Sequence, residues 1–234
     1  MVLCDVSLLG GDFLPTWCLL SLLGLVTVFI TSGTVFNWGG YARPTYALWQ
    51  RKTNPKYPTP EKVRDEIVQM LKGLWAATLC PTLSLWLSKR GLSKGYCSLD
   101  AIDAPHNAAA TPYTTSMQYL VLQFAIIWVG SDFLEFAYHR VGHTFSAAWH
   151  VHKHHHKFYN PSPFSVIADE YVDQFMRATP LILFPMIMPI DMDLLFGIYT
   201  LFFYIYVSGK ACEANMLPLN AMVTVGVPFH LSLL

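Results

Sequence analysis

The chain has 234 residues, of which 53% are hydrophobic, 15% aromatic and only 13% charged. That charge content is about half that of an ordinary soluble domain. The fifteen basic and fifteen acidic residues cancel, which gives no polybasic surface for nucleic acid, and the length suits one domain.

In chain order, Trp17 to Phe36 carries no charge and is long enough to cross a bilayer. It lacks a basic leader and an A-x-A cleavage site, so it reads as a retained span. No Lys or Arg precedes it, whereas residues 37–66 carry Arg43, Arg51, Lys52, Lys56, Lys62 and Arg64. The positive-inside rule puts that loop in the cytoplasm and the N-terminus outside or in a lumen; Lys89, Arg90 and Lys94 count against this orientation. Residues 37–49, rich in aromatics and Gly, read as an interfacial belt. Thr59, Pro60 and Glu61 mark a helix start by cap, first-turn and dipole preference. Ile67 to Leu87 is a second candidate span, interrupted by Lys72 and kinked by Pro81. After a polar loop in which His106 reads as solvated, Ser116 to Tyr138 forms a third, with Asp132 and Glu135 in its last turns. Leu181 to Val207 is broken by Pro185, Pro189, Asp191 and Asp193. Its arms are each too short to cross, so a hairpin turning at "MPIDMD" is expected. The five scattered cysteines read as reduced apolar fillers. The expected fold is all-α: a single domain over 1–234, an integral membrane helical bundle.

Seven of the nine histidines lie between His139 and His156. His139 and His143 stand at i and i+4, one turn apart on one helix face, with Asp132 and Glu135 below them. His152, His155 and His156 repeat the pattern as i, i+3, i+4, and His150 and His154 form a further pair. Neutral imidazole is a favoured ligand for zinc, iron and copper. Crowded imidazoles without a metal face either repulsion or unmet polar atoms. A solvated, pH-sensitive tract is the plainer alternative, but it needs no helical register. Arg140 stands where a zinc protease carries its general-base Glu, so "HRVGH" is not that motif. This excess of histidines with nearby carboxylates suits a two-metal iron site better than one zinc.

"HRVGH" after "DFLEFAY", and "HKHHH" before "NPSPF", resemble the fatty acid hydroxylase/sterol desaturase superfamily of membrane di-iron oxygenases. Its pattern is H-x3-H, H-x2-H-H and a second H-x2-H-H near the C-terminus; the likeness covers about Tyr119 to Phe175. The resemblance implies membrane helices with a cytoplasmic metal-site cap over residues 139–175. It also implies O2-dependent hydroxylation or desaturation of a lipid C–H bond, with cytochrome b5 and its reductase as electron donors, in the endoplasmic reticulum membrane. Its ligand and catalytic set would be His139, His143, His152, His155 and His156. His150, His154, Glu170 and His230 are further candidates, and Asp132, Glu135 and Asp173 would support the ligands.

The departures from the family pattern are specific. Ile167 and Glu170 stand where sterol-type relatives tend to carry imidazoles, and Asp169, Glu170 and Asp173 read either as carboxylate ligands and acceptors or as a hydrated turn. Past Val207 only His230 remains, with no second H-x2-H-H, so the chain is expected to be C-terminally incomplete. The alternatives are a catalytically silent relative that binds lipid or a partner, or a zinc-binding membrane protein. A metal transporter would need more polar residues within its spans.

Overall fold

The computed structural model describes residues 12–38, 58–97, 108–158 and 161–212, and these are mostly helical. The uncharged N-terminal run forms α1 (Phe13–Trp38). Helix α2 (Pro60–Lys89) starts where its sequence signals place it: Thr59 Oγ1 accepts from Lys62 N at 3.4 Å, with Pro60 and Glu61 in the first turn. It runs unbroken through Pro81, and the Thr82 hydroxyl donates one turn back to Thr78 O at 2.6 Å. Polar atoms join α1 to α2: Ser21 and Thr78 hydroxyls meet at 2.7 Å, and Trp17 Nε1 donates to Trp75 O and Thr78 Oγ1 at 3.2 Å. Hydroxyl contacts of this kind hold helices together where neighbouring surfaces are equally apolar.

Helix α3 (Met117–Thr144), capped by Ser116, covers the third expected span and continues two turns further. Among the described residues, α1 and α3 are the two helices long and apolar enough to cross a membrane. The second expected span differs. Helix α2 is long enough, but its buried side carries Glu66, Thr78, Thr82, Ser84 and Ser88, which lowers its hydropathy.

At Phe145 the backbone turns extended (φ −107°, ψ 126°), and α4 (Ser146–His152) folds back beside α3. Single 3-10 turns follow at His155–Lys157 and Pro163–Ile167. Then come α5 (Tyr171–Ala178), α6 (Pro180–Ile187) and α7 (Met192–Cys212). The chain reverses between α6 and α7 at 188–191, within the expected "MPIDMD" turn. The second arm is longer than expected, 21 residues to Cys212, and Asp191 caps its start by accepting from Leu194 N at 2.9 Å.

A small parallel pair, β1 (Gly95–Tyr96) with β2 (Ile190–Asp191), has no counterpart in the sequence reading. Gln123 locks it, donating to Tyr96 Oη at 2.8 Å and accepting from Asp191 N at 2.7 Å. The cysteine expectation is also corrected. Cys18 and Cys80 are free, but Cys97 is disulfide-bonded to a partner that is not described. Pairing depends on proximity in the fold, which scattered spacing does not reveal.

Two apolar clusters fill the interior. One joins α1, α2, α3 and α5 to α7 through Leu20, Cys80, Ile127, Phe184 and Leu195. The other joins Val28, Met70, Leu74, Phe164 and Ala168 beneath the second 3-10 turn. Gly73 permits the approach of that turn, since a Cβ there would meet Ile167 O at 2.4 Å.

Candidate metal centre

The last turns of α3 carry His139 and His143 on one face, and the reversal at Phe145 brings α4 back against them. The ring centroids of His139 and His152 are 4.6 Å apart, and those of His143 and His156 4.7 Å. One nitrogen from each of His139, His143, His152 and His156 can be chosen so that all four lie within 4.8 Å of one another. Two imidazoles on a single zinc-like ion, at about 2.1 Å each, stand no more than about 4.2 Å apart. Four nitrogens around one tetrahedral ion stand about 3.4 Å apart, so the group would have to close by up to about 1.4 Å to hold a single ion. Its donors are those that borderline metals prefer. His152 is buried, His139 half-buried, and His143 and His156 exposed, so one side of the group is open.

Sequence spacing and structure differ in one respect. His152 and His156 do not share a helix, because α4 ends at His152 and the backbone tightens to bonds such as His156 N to Lys153 O at 3.2 Å. The tighter turn still presents His156 to the group. His155 lies in that turn, but its side chain is outside the described residues, as are His106 and His230. His150 and His154 are exposed and not in the group; His150 Nδ1 bonds Ser146 O at 2.7 Å.

The support comes from α5. Asp173, fully buried, accepts from His152 Nδ1 at 3.2 Å and from the Tyr138 hydroxyl on the same oxygen, Oδ1. A carboxylate can only accept, so Nδ1 carries the proton and Nε2 is the nitrogen with a lone pair for a cation. Asp173 Oδ2 is buried without a donor among the described residues. The hydrated-turn reading of this segment is thereby corrected. Asp169 is also buried, and the same helix brings Arg177 between Asp169 and Glu135, where Nε donates to Glu135 Oε1 at 2.8 Å. Burial works against the Arg177 charge, but Glu135 and then Asp169 outweigh it, and its pKa is held above the ordinary value.

Glu135 thus pairs with Arg177 rather than with a histidine or Arg140. The i to i+5 spacing of Glu135 and Arg140 sets them about 140° apart around α3, and Arg140 is exposed. Asp132 is half-buried and makes no hydrogen bond to the four histidines among the described residues. Glu170 is half-buried at the N-cap of α5 and outside the group. Two residues that sequence reasoning did not single out complete the seat. Glu66, buried in α2, accepts from Ser162 N at 3.1 and 3.2 Å and from its hydroxyl, which fixes the turn after the second histidine set. Gly142 lies against His152, whose Cγ would be 2.6 Å from any Cβ at that position. A Gly one residue before a candidate ligand was a visible signal for the second; for Glu66 only its place among apolar neighbours pointed inward.

The family model for fatty acid hydroxylase matches residues 124–230, which takes in all four histidines and Asp173 but not Glu66. The matched segment, just under half of the chain, and the two curated relatives that follow support the fatty acid hydroxylase/sterol desaturase superfamily. A Delta(7)-sterol 5(6)-desaturase of Aspergillus fumigatus is 27% identical over 184 residues, 77% of this chain and 46% of that protein. A lathosterol oxidase of Rattus norvegicus is 30% identical over 142 residues, 60% of this chain and 43% of that protein. The chain thus spans less than half the length of either relative. No solved structure matches.

If the histidine group holds a metal, Asp173→Asn is expected to weaken its binding by about 10–100-fold, since the amide no longer offers a charged acceptor to His152. Chelator competition reads this directly, and unchanged affinity would remove Asp173 from the site's support.

Proposed function

We propose that this chain is a multi-pass membrane protein that hydroxylates or desaturates a lipid C–H bond, using O2 at a histidine-held di-iron centre. One observation carries the reading: four imidazoles from "HRVGH" and the "HKHHH" region gather at the end of a helix long and apolar enough to cross a membrane. His139, His143, His152 and His156 would hold the metal, with His155 as a further ligand. Iron there would supply the oxidation, for which either outcome takes one O2, two electrons and two protons; hydroxylation releases one water and desaturation two. Asp173 holds His152 in one tautomer and orientation, and Arg177 fixes the carboxylates beside it. The names of the relatives support a sterol-like substrate, and cytochrome b5 with its reductase is the proposed electron source.

The histidine group is proposed to face the cytoplasm from the endoplasmic reticulum membrane. In support, the disulfide-bonded Cys97 follows the far end of α2, whereas Glu66 near its start reaches the turn beside the histidines. Disulfides persist in oxidising compartments, so the two ends of the bundle belong on opposite sides.

Elemental analysis of the purified full chain, beside a His152→Ala/His156→Ala variant, tests the centre. Near two irons per chain, lost in the variant, is the expected result. One zinc would favour the silent zinc-binding reading, which a four-nitrogen set also suits, and no metal in either protein would sink both.

A further inference from the structure

We infer that α5 is an interfacial helix whose outer face lies against the acyl region of a lipid bilayer. The helix is amphipathic in the opposite sense to a water-facing one. Its exposed residues are Tyr171, Val172 and Met176, at 51, 58 and 42% exposure, while Asp173 and Gln174 on the other side are 0 and 8% exposed. Positions 172 and 176 stack one turn apart, as do 173 and 177, and the two rows stand about 100° apart around the helix, so they form separate faces. In water the charged face would turn outward and the apolar face inward. Here the inner face is committed to the ion pairs and to His152, and no charged residue of the helix is on the outer face.

The occupant of that face follows from its continuity. Helix α6 begins two residues later and exposes Leu183, Met186 and Ile187 at i, i+3 and i+4. The span-length α3, which packs against α5, exposes Val129 and Phe133. An apolar surface that runs from a span-length helix across α5 to α6 fits hydrocarbon, which requires no polar partner from it. Asp173, next to Val172 in sequence, bonds His152. Lipid would therefore lie within about one helix diameter, ~10 Å, of the histidine group. The inference rests on the membrane reading above, and its test requires neither metal nor turnover.

The test uses the full chain in phosphatidylcholine nanodiscs. Val172→Cys and Met176→Cys, each spin-labelled in a background where every cysteine outside the Cys97 disulfide is replaced by Ser, are compared with Lys153→Cys on the exposed turn. Labels at 172 and 176 are expected to collide more with oxygen than with a nickel chelate, and the label at 153 is expected to show the reverse order. Higher nickel accessibility at 172 and 176 would overturn the inference and leave the face for a protein partner. On the unaltered chain, a phospholipid carrying a diazirine in its acyl tail should label Tyr171, Val172 or Met176. Labelling of α1 with none on α5 would overturn it as well. Iron-loaded protein with a wet α5 would reject this inference alone, and metal-free protein with a lipid-labelled α5 would reject only the metal reading.

Discussion

Arg177→Met is expected to destabilise the protein by about 3–5 kcal/mol, the usual effect of removing one partner from a buried ion group. Glu135 and Asp169 would then face each other's charge in a site where their side chains are 18 and 1% exposed. The loss is in unpaired charge more than in lost attraction, which gives the prediction a second limb. Removing all three charges together, as Glu135→Gln/Asp169→Asn/Arg177→Met, should recover most of the stability, because buried ion groups are often replaceable by neutral ones. Arg177→Lys should fall between, as an ammonium cannot reproduce the two-armed contact. Thermal unfolding in detergent reads all three variants. A single variant within about 1 kcal/mol of the parent would mean that the group is weakly coupled, like an exposed ion pair.

Gly142→Ala is expected to weaken metal binding at the proposed centre although it alters none of the proposed ligands. Replacing a helical Gly with Ala ordinarily adds up to about 1 kcal/mol of stability. Here the new methyl would sit 2.6 Å from His152 Cγ and 3.0 Å from its Cβ. Those atoms are near the backbone, so they yield only if α4 shifts, and overpacking of this kind typically costs about 1–3 kcal/mol. The clash therefore outweighs the propensity, and His152 leaves the group. A fall of about 10–100-fold in metal affinity is expected, the range seen when a ligand's support is lost. Gly33→Ala supplies the control, because nothing lies within 4 Å of a Cβ there. If the two variants bind metal equally well, Gly142 has no part in seating His152.

The helices and the histidine group were largely legible in the sequence, and the reasons are local. Thr59 and Ser116 cap helix starts through bonds to residues three positions on, and Pro60 marks one by its fixed backbone angle. His139 and His143 meet because a helix brings i and i+4 together, whatever else the chain does. The support was harder to read. Nothing near Glu135 in sequence points to Arg177, 42 positions away, and Asp173 could equally have belonged to a solvated turn until α5 was seen to bury it. The short strands escaped notice because two residues each give no periodicity, and Gln123 reads as one polar residue in an apolar run.

The contact between Glu66 and Ser162 bears on the order in which the site assembles. The four histidines lie within eighteen residues, so gathering them closes only a short loop. Joining Glu66 to Ser162 closes one of 96 residues, which by chain entropy is less favourable by about 1.5 kcal/mol. A newly made chain can thus collect its ligands before α2 has docked on the turn that follows them. Metal bound at that stage would contribute its binding free energy to folding of the cap. The ion would act as an early organiser of the bundle's end rather than a late addition to a finished one.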